Sequence, residues 1–268
     1  MATAGGGGPK ELTLSNSTDW SASTAFGADY ASDVEKIVII PSGVTIGGTG
    51  SNAAITLEAG MLGTLVINNS GTIIGYGGAA NSGVGGTGIK ALTNSSSTIT
   101  VNNLSGGNIQ GGGGGGGQGG DGGDGSDGTK VIMFGMCMGV RPAKGLGGDG
   151  GAGGVGAGYN QAAGSGSTGA SGTAGGAATQ GQWQQPGGTG GTGGTGGNGG
   201  AIGATGSTGT TGGNGAQADI SYEAYYGCGH GDLAQNGAAG STGGLAGYYI
   251  ENLAYVTLSN AGTVAGRS

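Results

Sequence analysis

Three groups of residues in this chain are of types that could do chemistry. Cys228-Gly-His230-Gly-Asp232 brings a thiol, an imidazole and a carboxylate together over five residues. A zinc site needs four protein ligands, or three with an open position. His230 is the only histidine and Cys137 the only other cysteine, so the cluster reads as a polar surface loop and no metal is expected. A Cys137–Cys228 bridge pinning two turns together stays open, and an extracellular working environment would favour it. Asp121, Asp124 and Asp127 share one face at a period of three. The calcium-binding nonapeptide repeat places an apolar residue after the aspartate; none stands there, so these three read as a solvated acidic face. The third group is a set of aromatic and methionine residues: Met133, Phe134 and Met136 in the stretch 129–144, Tyr159 in a smaller break, Trp183 in 181–186, and Tyr222, Tyr225 and Tyr226 in 217–235. Tyr, Trp and Met are enriched at the centres of interfaces and lose little entropy when fixed. Together with His230 they are the residues expected to recognise a partner.

Catalysis needs titratable groups with tuned pKa values converging in one place. One histidine and a thin scatter of carboxylates do not supply that, so neither an enzyme nor a cofactor is expected. The many G-x-G-x-x-G matches follow from glycine abundance, and no Gly-Lys-Ser/Thr completes a phosphate loop.

These segments must be held by an unusual scaffold. The chain has 78 glycines in 268 residues but only 4 prolines, 8% charged residues and a net charge of -7. Disordered chains are depleted in large apolar residues, as this one is, but they carry dense charge. Between residues 111 and 247 glycine recurs at every third position, without a break from Gly188 to Gly215. A chain with three residues per turn and a rise of about 3.1 Å per residue places every third residue on one face, where glycine lets neighbouring helices touch. Such helices have no internal hydrogen bonds, so each buried N–H and C=O must find a partner on a neighbour. The period therefore predicts a packed bundle of polyglycine helices with the apolar interruptions as its end loops. The heptaglycine Gly111–Gly117, bare on all sides, is expected to be its most enclosed member. Collagen shares the period but relies on proline, which the run from Gly188 to Gly215 lacks.

Residues 1–110 read differently. Lys36 to Ile46 is strand, turn, strand, punctuated by Pro41 and Gly43, and further short strands are expected at Ala54–Glu58, Gly63–Asn68 and Thr98–Asn102. Their spacing suits a small β-solenoid or a sandwich. Leu65–Gly75 matches Val256–Gly266 position for position in its apolar, Asn and Gly residues, and Val101–Gly111 is a looser copy with one extra residue. The fold class expected is thus all-β and irregular: a β-rich domain over 1–110, the polyglycine bundle over 111–247, and a closing β-strand segment over 248–268.

The balance of charge excludes some partners. Seven scattered Lys and Arg make no basic stripe for nucleic acid. No apolar run reaches the roughly 18 residues of a membrane span, so no membrane insertion is expected. The start Met-Ala-Thr-Ala-Gly lacks signal-peptide regions, which predicts a protein made soluble in the cytoplasm.

Asn103-Leu-Ser-Gly-Gly-Asn-Ile-Gln-Gly followed by the glycine run to Gly117, the alternation of glycine blocks with apolar loops, and the ending Gly247 to Gly266 resemble the distal tail-fibre adhesins of T-even-like phages and related glycine-rich receptor-binding proteins, over roughly residues 65–268. The resemblance implies a sandwich of type II polyglycine helices and a virion location at the tail-fibre tip. It implies end loops at 129–144, 181–186 and 217–235 that contact a porin-like outer-membrane protein or a surface glycan. It also implies attachment to a trimeric fibre shaft, or self-trimerisation. The attachment domain of that family is rich in aromatics, whereas residues 1–64 hold only Trp20, Phe26 and Tyr30. The other readings are a collagen-like fibre protein and an ice-binding protein, the latter because Thr189, Thr192 and Thr195 repeat on one face.

Overall fold

The structure is a computed structural model that describes residues 8–92, 98–133, 136–139, 141–177, 184–218 and 231–268. Among these residues it is all-β and irregular, with one short α-helix. Fourteen of its strands visit three parallel sheets in strict rotation. The first sheet takes β1 (Lys10–Thr13), β4 (Lys36–Ile40), β7 (Thr64–Asn69), β10 (Thr98–Asn103) and β15 (Val256–Asn260). The second takes β2 (Ser17–Thr18), β5 (Thr45–Gly47), β8 (Thr72–Ile74), β11 (Asn108–Gln110) and β16 (Thr263–Ala265). The third takes β3 (Trp20–Ser21), β6 (Ile55–Leu57), β9 (Ile89–Ala91) and β14 (Ile250–Glu251). Of the two architectures left open by strand spacing, the chain is a three-sided solenoid.

Alternation decides which side chains enter it. β4 buries Lys36, Val38 and Ile40, and β7 buries Leu65, Ile67 and Asn69, the period of two natural to a strand. In-register pairing then stacks like on like: Ile46 on Ile73 on Ile109, Ile55 on Ile89 on Ile250, and Val38 on Ile67 on Val101. Each fully buried aliphatic side chain contributes about 1.5–3 kcal/mol. Helix α1 (Ala22–Phe26), N-capped by Ser21, adds Ala22 and Phe26 to this core.

Two polar devices accompany it. At the corner between the first two sheets, the buried Asn69 amide donates to Asn103 Oδ1 (2.8 Å) and the Asn103 amide to Asn260 Oδ1 (2.7 Å). This ladder explains why the repeat carries Asn. It also corrects the third copy: Ile99, not Val101, is the partner of Leu65 and Val256, and the corner Leu104–Gly107 holds two residues more than Ser70–Gly71. Lys36, fully buried, donates Nζ hydrogen bonds to the carbonyls of Ser32, Val34 and Leu62 (2.7–2.9 Å). Burial holds its pKa below the ordinary lysine value, against the pull of Asp29 and Asp33.

The glycine region is an excursion from the solenoid. The chain leaves after β11 and resumes the third sheet at β14. A smaller excursion, 75–88, separates β8 from β9. The segments 111–126, 145–157, 164–176, 187–200, 204–216 and 235–247 contain neither helix nor ladder strand; among their described residues, the bonds that order them run between segments. Successive donors of the central segment point three ways. Gly113, Gly116, Gly119, Gly122 and Gly125 donate to Ala157, Gly154, Gly151, Gly148 and Gly145. Gly114, Gly117, Gly120, Gly123 and Ser126 donate to Ala204, Ser207, Thr210, Gly213 and Ala216. Gly112 and Gly115 donate to Gly86 and Gly83. Its carbonyls in turn accept from 188–200 and from 235–247, and Gly78 and Ser82 close the ring on the remaining side. This is the three-residue turn of polyglycine helices, with one helix ringed by neighbours running in both directions, an arrangement distinct from a parallel collagen triplet.

Glycine phase records how many neighbours a segment has. Gly111–Gly117 is buried throughout. A Cβ on Gly114, Gly115 or Gly116 would stand 1.7–1.9 Å from a carbonyl oxygen of three different segments. Where that Cβ would be, the glycine hydrogen meets the carbonyl instead, a contact of about 0.5–1 kcal/mol. Segment 187–200 is glycine at two positions in three, with the set from Gly188 bare against 204–216 and the set from Gly190 bare against 145–157, and exposes Thr189, Thr192, Thr195 and Asn198 on the third face. The outermost segment, 164–176, needs glycine on one face only, where Gly166, Gly169, Gly172 and Gly175 meet 187–200.

Side chains on the rim complete the network. N–H groups that lack a backbone acceptor are capped: Thr195 by Thr210 Oγ1 (2.7 Å), Asn198 by Ser207 Oγ (2.6 Å), Leu146 by Thr173 Oγ1 (2.7 Å) and Gly166 by Asn198 Oδ1 (3.0 Å). The acidic face expected at Asp121, Asp124 and Asp127 is solvent-facing, with Asp121 exposed and the other two half-buried, and it serves the same rule. Asp121 and Asp124 accept from Gly150 (2.8 Å) and Gly147 (3.0 Å), and Asp127 Oδ2 accepts from Asp232 (3.1 Å). A buried or half-buried N–H left without an acceptor costs about 1–3 kcal/mol, which is why period-three positions on the rim favour Ser, Thr, Asn and Asp.

Candidate binding end of the glycine bundle

Backbone registry fixes which loops share an end. Gly125 donates to Gly145, Ser126 to Ala216, Gly188 to Ser126, and Gln235 to Asp124. The starts or ends of four flanking segments therefore lie within one turn of residue 126. Segment 111–126 rises about 3.1 Å per residue, so this end stands roughly 45 Å from the solenoid.

Its base is a set of polar side chains that lock the loops to one another. Buried Ser126 accepts from the Ala218 N–H (2.6 Å). Buried Thr129 accepts from the Gln185 N–H at Oγ1 (2.8 Å) and donates its own N–H to the Gln185 carbonyl (3.2 Å). Gly128 donates to Pro142, and Asp127 to the Asp232 carbonyl. Lys144 bridges Asp124 and Asp232, each at 3.2 Å. The Gly147 N–H and Lys144 hold the Asp124 carboxyl below its ordinary range, and Asp232 and Asp124 together hold the Lys144 ammonium above its own.

From this base rises a hairpin of β12 (Val131–Met133) and β13 (Met136–Met138), in which Met133 pairs with Met136 and Ile132 with Cys137. Met136 is 60% exposed. Cys137 is disulfide-bonded; Cys228 lies outside the described residues.

The structure thus brings Met133 and Met136 to this end. Phe134, Trp183, Tyr222, Tyr225, Tyr226 and His230 lie outside the described residues, but the described residues that flank them, Gln184, Gln185, Ala218 and Gly231, are anchored here. Tyr159 is not. It sits on the turn between 145–157 and 164–176, at the solenoid end, and its N–H donates to Gly75 (3.0 Å). Of the Cys228, His230 and Asp232 cluster, Asp232 is described and is engaged by Lys144 and Asp127. Among the described residues no group of His, Cys, Asp or Glu is arranged to hold a metal, and no helix is long and apolar enough to cross a membrane. Sequence reasoning missed Ser126, Thr129 and Lys144, whose roles depend on partners 20 to 92 residues away; their adjacency to the ends of glycine runs was the available signal.

No protein-family model and no curated protein sequence matches this chain. A solved structure, the gp37–gp38 adhesin tip complex of the bacteriophage S16 long tail fibre, is similar to it at 17% identity and a TM-score of 0.38, over 97% of this chain and 82% of that one.

Proposed function

We propose that this chain is a non-enzymatic adhesin of the tail-fibre tip kind, in which the solenoid faces a trimeric fibre shaft and the far end of the glycine bundle grips a porin-like outer-membrane protein of the host. One observation carries the reading: the segments of the glycine region richest in large side chains are anchored within one turn of each other at the end of a bundle cross-linked by backbone hydrogen bonds throughout its length. Such a base costs little further entropy when a partner binds, since preorganisation is what turns contacts into affinity. The resemblance of residues 65–268 to phage tip adhesins supports it.

The test is a pull-down of purified protein on whole Gram-negative cells, with and without protease treatment of their surface. Met136→Arg and Trp183→Ala should each lower cell binding at least tenfold while leaving the melting temperature within about 2 °C, the range of a surface change. Wild-type binding by both variants would remove the far end from the reading. Ice binding is a second reading that the exposed row of Thr189, Thr192 and Thr195 supports, and a thermal-hysteresis assay separates it.

A further inference from the structure

At the opposite end of the bundle, where it meets the solenoid, a cleft of about 640 Å³ opens between three pieces of chain: the corner after β5, the start of the 75–88 excursion, and the turn after 145–157. That volume lies within the roughly 300–1,000 Å³ of small-ligand sites. We infer that this cleft is a binding site for a neutral saccharide unit, held between Tyr76 and Tyr159.

The two rings are set in place by glycines. A Cβ on Gly47 would fall 2.2 Å from the Tyr159 ring, and one on Gly86 would fall 2.0 Å from the Tyr76 ring. Each ring therefore packs directly on bare glycine backbone, and both line the cleft. Their supports are fixed independently. Thr49 donates its N–H to Asp19 Oδ1 (2.7 Å) and its hydroxyl to Oδ2, pinning the corner that carries Gly47. The Tyr159 turn is closed by reciprocal bonds between Gly158 and Gln161 (2.8 and 3.0 Å), with Asn160 in the left-handed region at φ 53°.

The lining selects the ligand class. It contains no Lys, Arg or His that would hold a phosphate or carboxylate, and no Asp or Glu that would hold a cation. It offers instead two aromatic faces, the methyls of Val155 and Ala79, and the amides of Asn160 and Gln161. Neither tyrosine hydroxyl nor the Asn160 amide has a hydrogen-bond partner among the described residues, whereas Gln161 uses its amide nitrogen on the Gly156 carbonyl (2.8 Å) and keeps its oxygen for the cleft. Aromatic faces suit the C–H faces of a pyranose, and amides and phenols suit its uncharged hydroxyls; a few polar groups on an apolar wall are the usual division of labour between affinity and orientation. The site stands roughly 45 Å behind the far end and does not depend on the reading of that end.

The test is saturation-transfer NMR and calorimetric titration of the full chain against neutral oligosaccharides (maltoheptaose, mannotetraose, galactotetraose), an anionic one (polygalacturonate fragments), smooth and O-chain-less lipopolysaccharide, and a neutral capsular polysaccharide. At least one neutral glycan should bind, and Tyr159→Ala and Asn160→Gly, which keeps the turn, should each weaken it tenfold or more. Met136→Arg should leave it unchanged even where cell attachment is lost, so failure of one site is told apart from failure of the other. Binding to smooth but not O-chain-less lipopolysaccharide assigns the saccharide to the O-chain, and binding to the capsule alone assigns it there. Binding confined to the anionic glycan, no binding at all, or neutral-glycan binding indifferent to both cleft variants would overturn the inference.

Discussion

The two halves of this molecule meet the same requirement by opposite means. Both must pair every buried N–H and C=O. The solenoid does so with ladder strands held apart by Ile46, Ile67, Ile73 and Ile109, whose side chains fill the space between sheets. The bundle does so with segments in backbone contact around Gly111–Gly117, where nothing larger than hydrogen fits. A core can therefore be made by filling space or by leaving nothing to fill, and the two should answer differently to the same one-carbon change.

The sharpest break is predicted for Gly116→Ala. Its methyl would stand 1.9 Å from the Gly197 carbonyl oxygen, with backbone on every side that cannot repack, so the cost should exceed the usual overpacking penalty of about 1–3 kcal/mol and show as a large fall in melting temperature. Gly164→Ala, on the outermost segment, is the control: its nearest neighbours are the Val155 N and Cγ2 atoms at 3.2 Å, and its change should stay under about 1 kcal/mol. The reverse change in the solenoid, Ile67→Val, should cost about 0.5–1.5 kcal/mol by denaturant titration. A bundle that tolerated Gly116→Ala as well as the solenoid tolerates Ile67→Val would erase the distinction.

The smallest effect concerns the rim of the bundle. Because Gly147 and Lys144 depress the folded-state pKa of Asp124, the folded chain binds that proton less readily than the unfolded one. The resulting stabilisation is complete above the ordinary value of 3.8 and is lost as pH falls through the lowered folded value. Asp124→Asn keeps an oxygen for the Gly147 N–H but no charge, so melting curves below about pH 4 should show a shallower acid dependence than wild type. An unchanged acid limb would mean that Asp124 is not linked to folding.

Much of this was legible beforehand for a physical reason: in an extended, three-residue turn the neighbour count of a segment is written directly in its glycine phase. The heptaglycine at the centre and the apolar interruptions at the ends follow from that alone. What stayed illegible depended on distant pairing. Strand spacing does not distinguish a solenoid from a sandwich, since both use short alternating strands. The third repeat was aligned two residues off because the longer corner at Leu104–Gly107 hid the register. The acceptor role of Asp121 and Asp124 was hidden because it is defined by Gly150 and Gly147 on another segment. Tyr159 shared its residue type with the loop aromatics, and only the direction of 145–157 shows that it belongs to the other end, opposite Tyr76.

The three-residue turn also gives the bundle a grammar of length. Adding one Gly-Gly-Thr unit to each of two adjoining segments lengthens both by one turn, about 9 Å, and returns every glycine to its own phase, so the loop between them is simply carried outward. Adding one or two residues rotates all that follows by a third or two thirds of a turn and drives a threonine into the place of a hydrogen. A gene for such a protein can change the reach of its loops only in whole three-codon words, while the loops themselves, bound by no period, can be rewritten letter by letter.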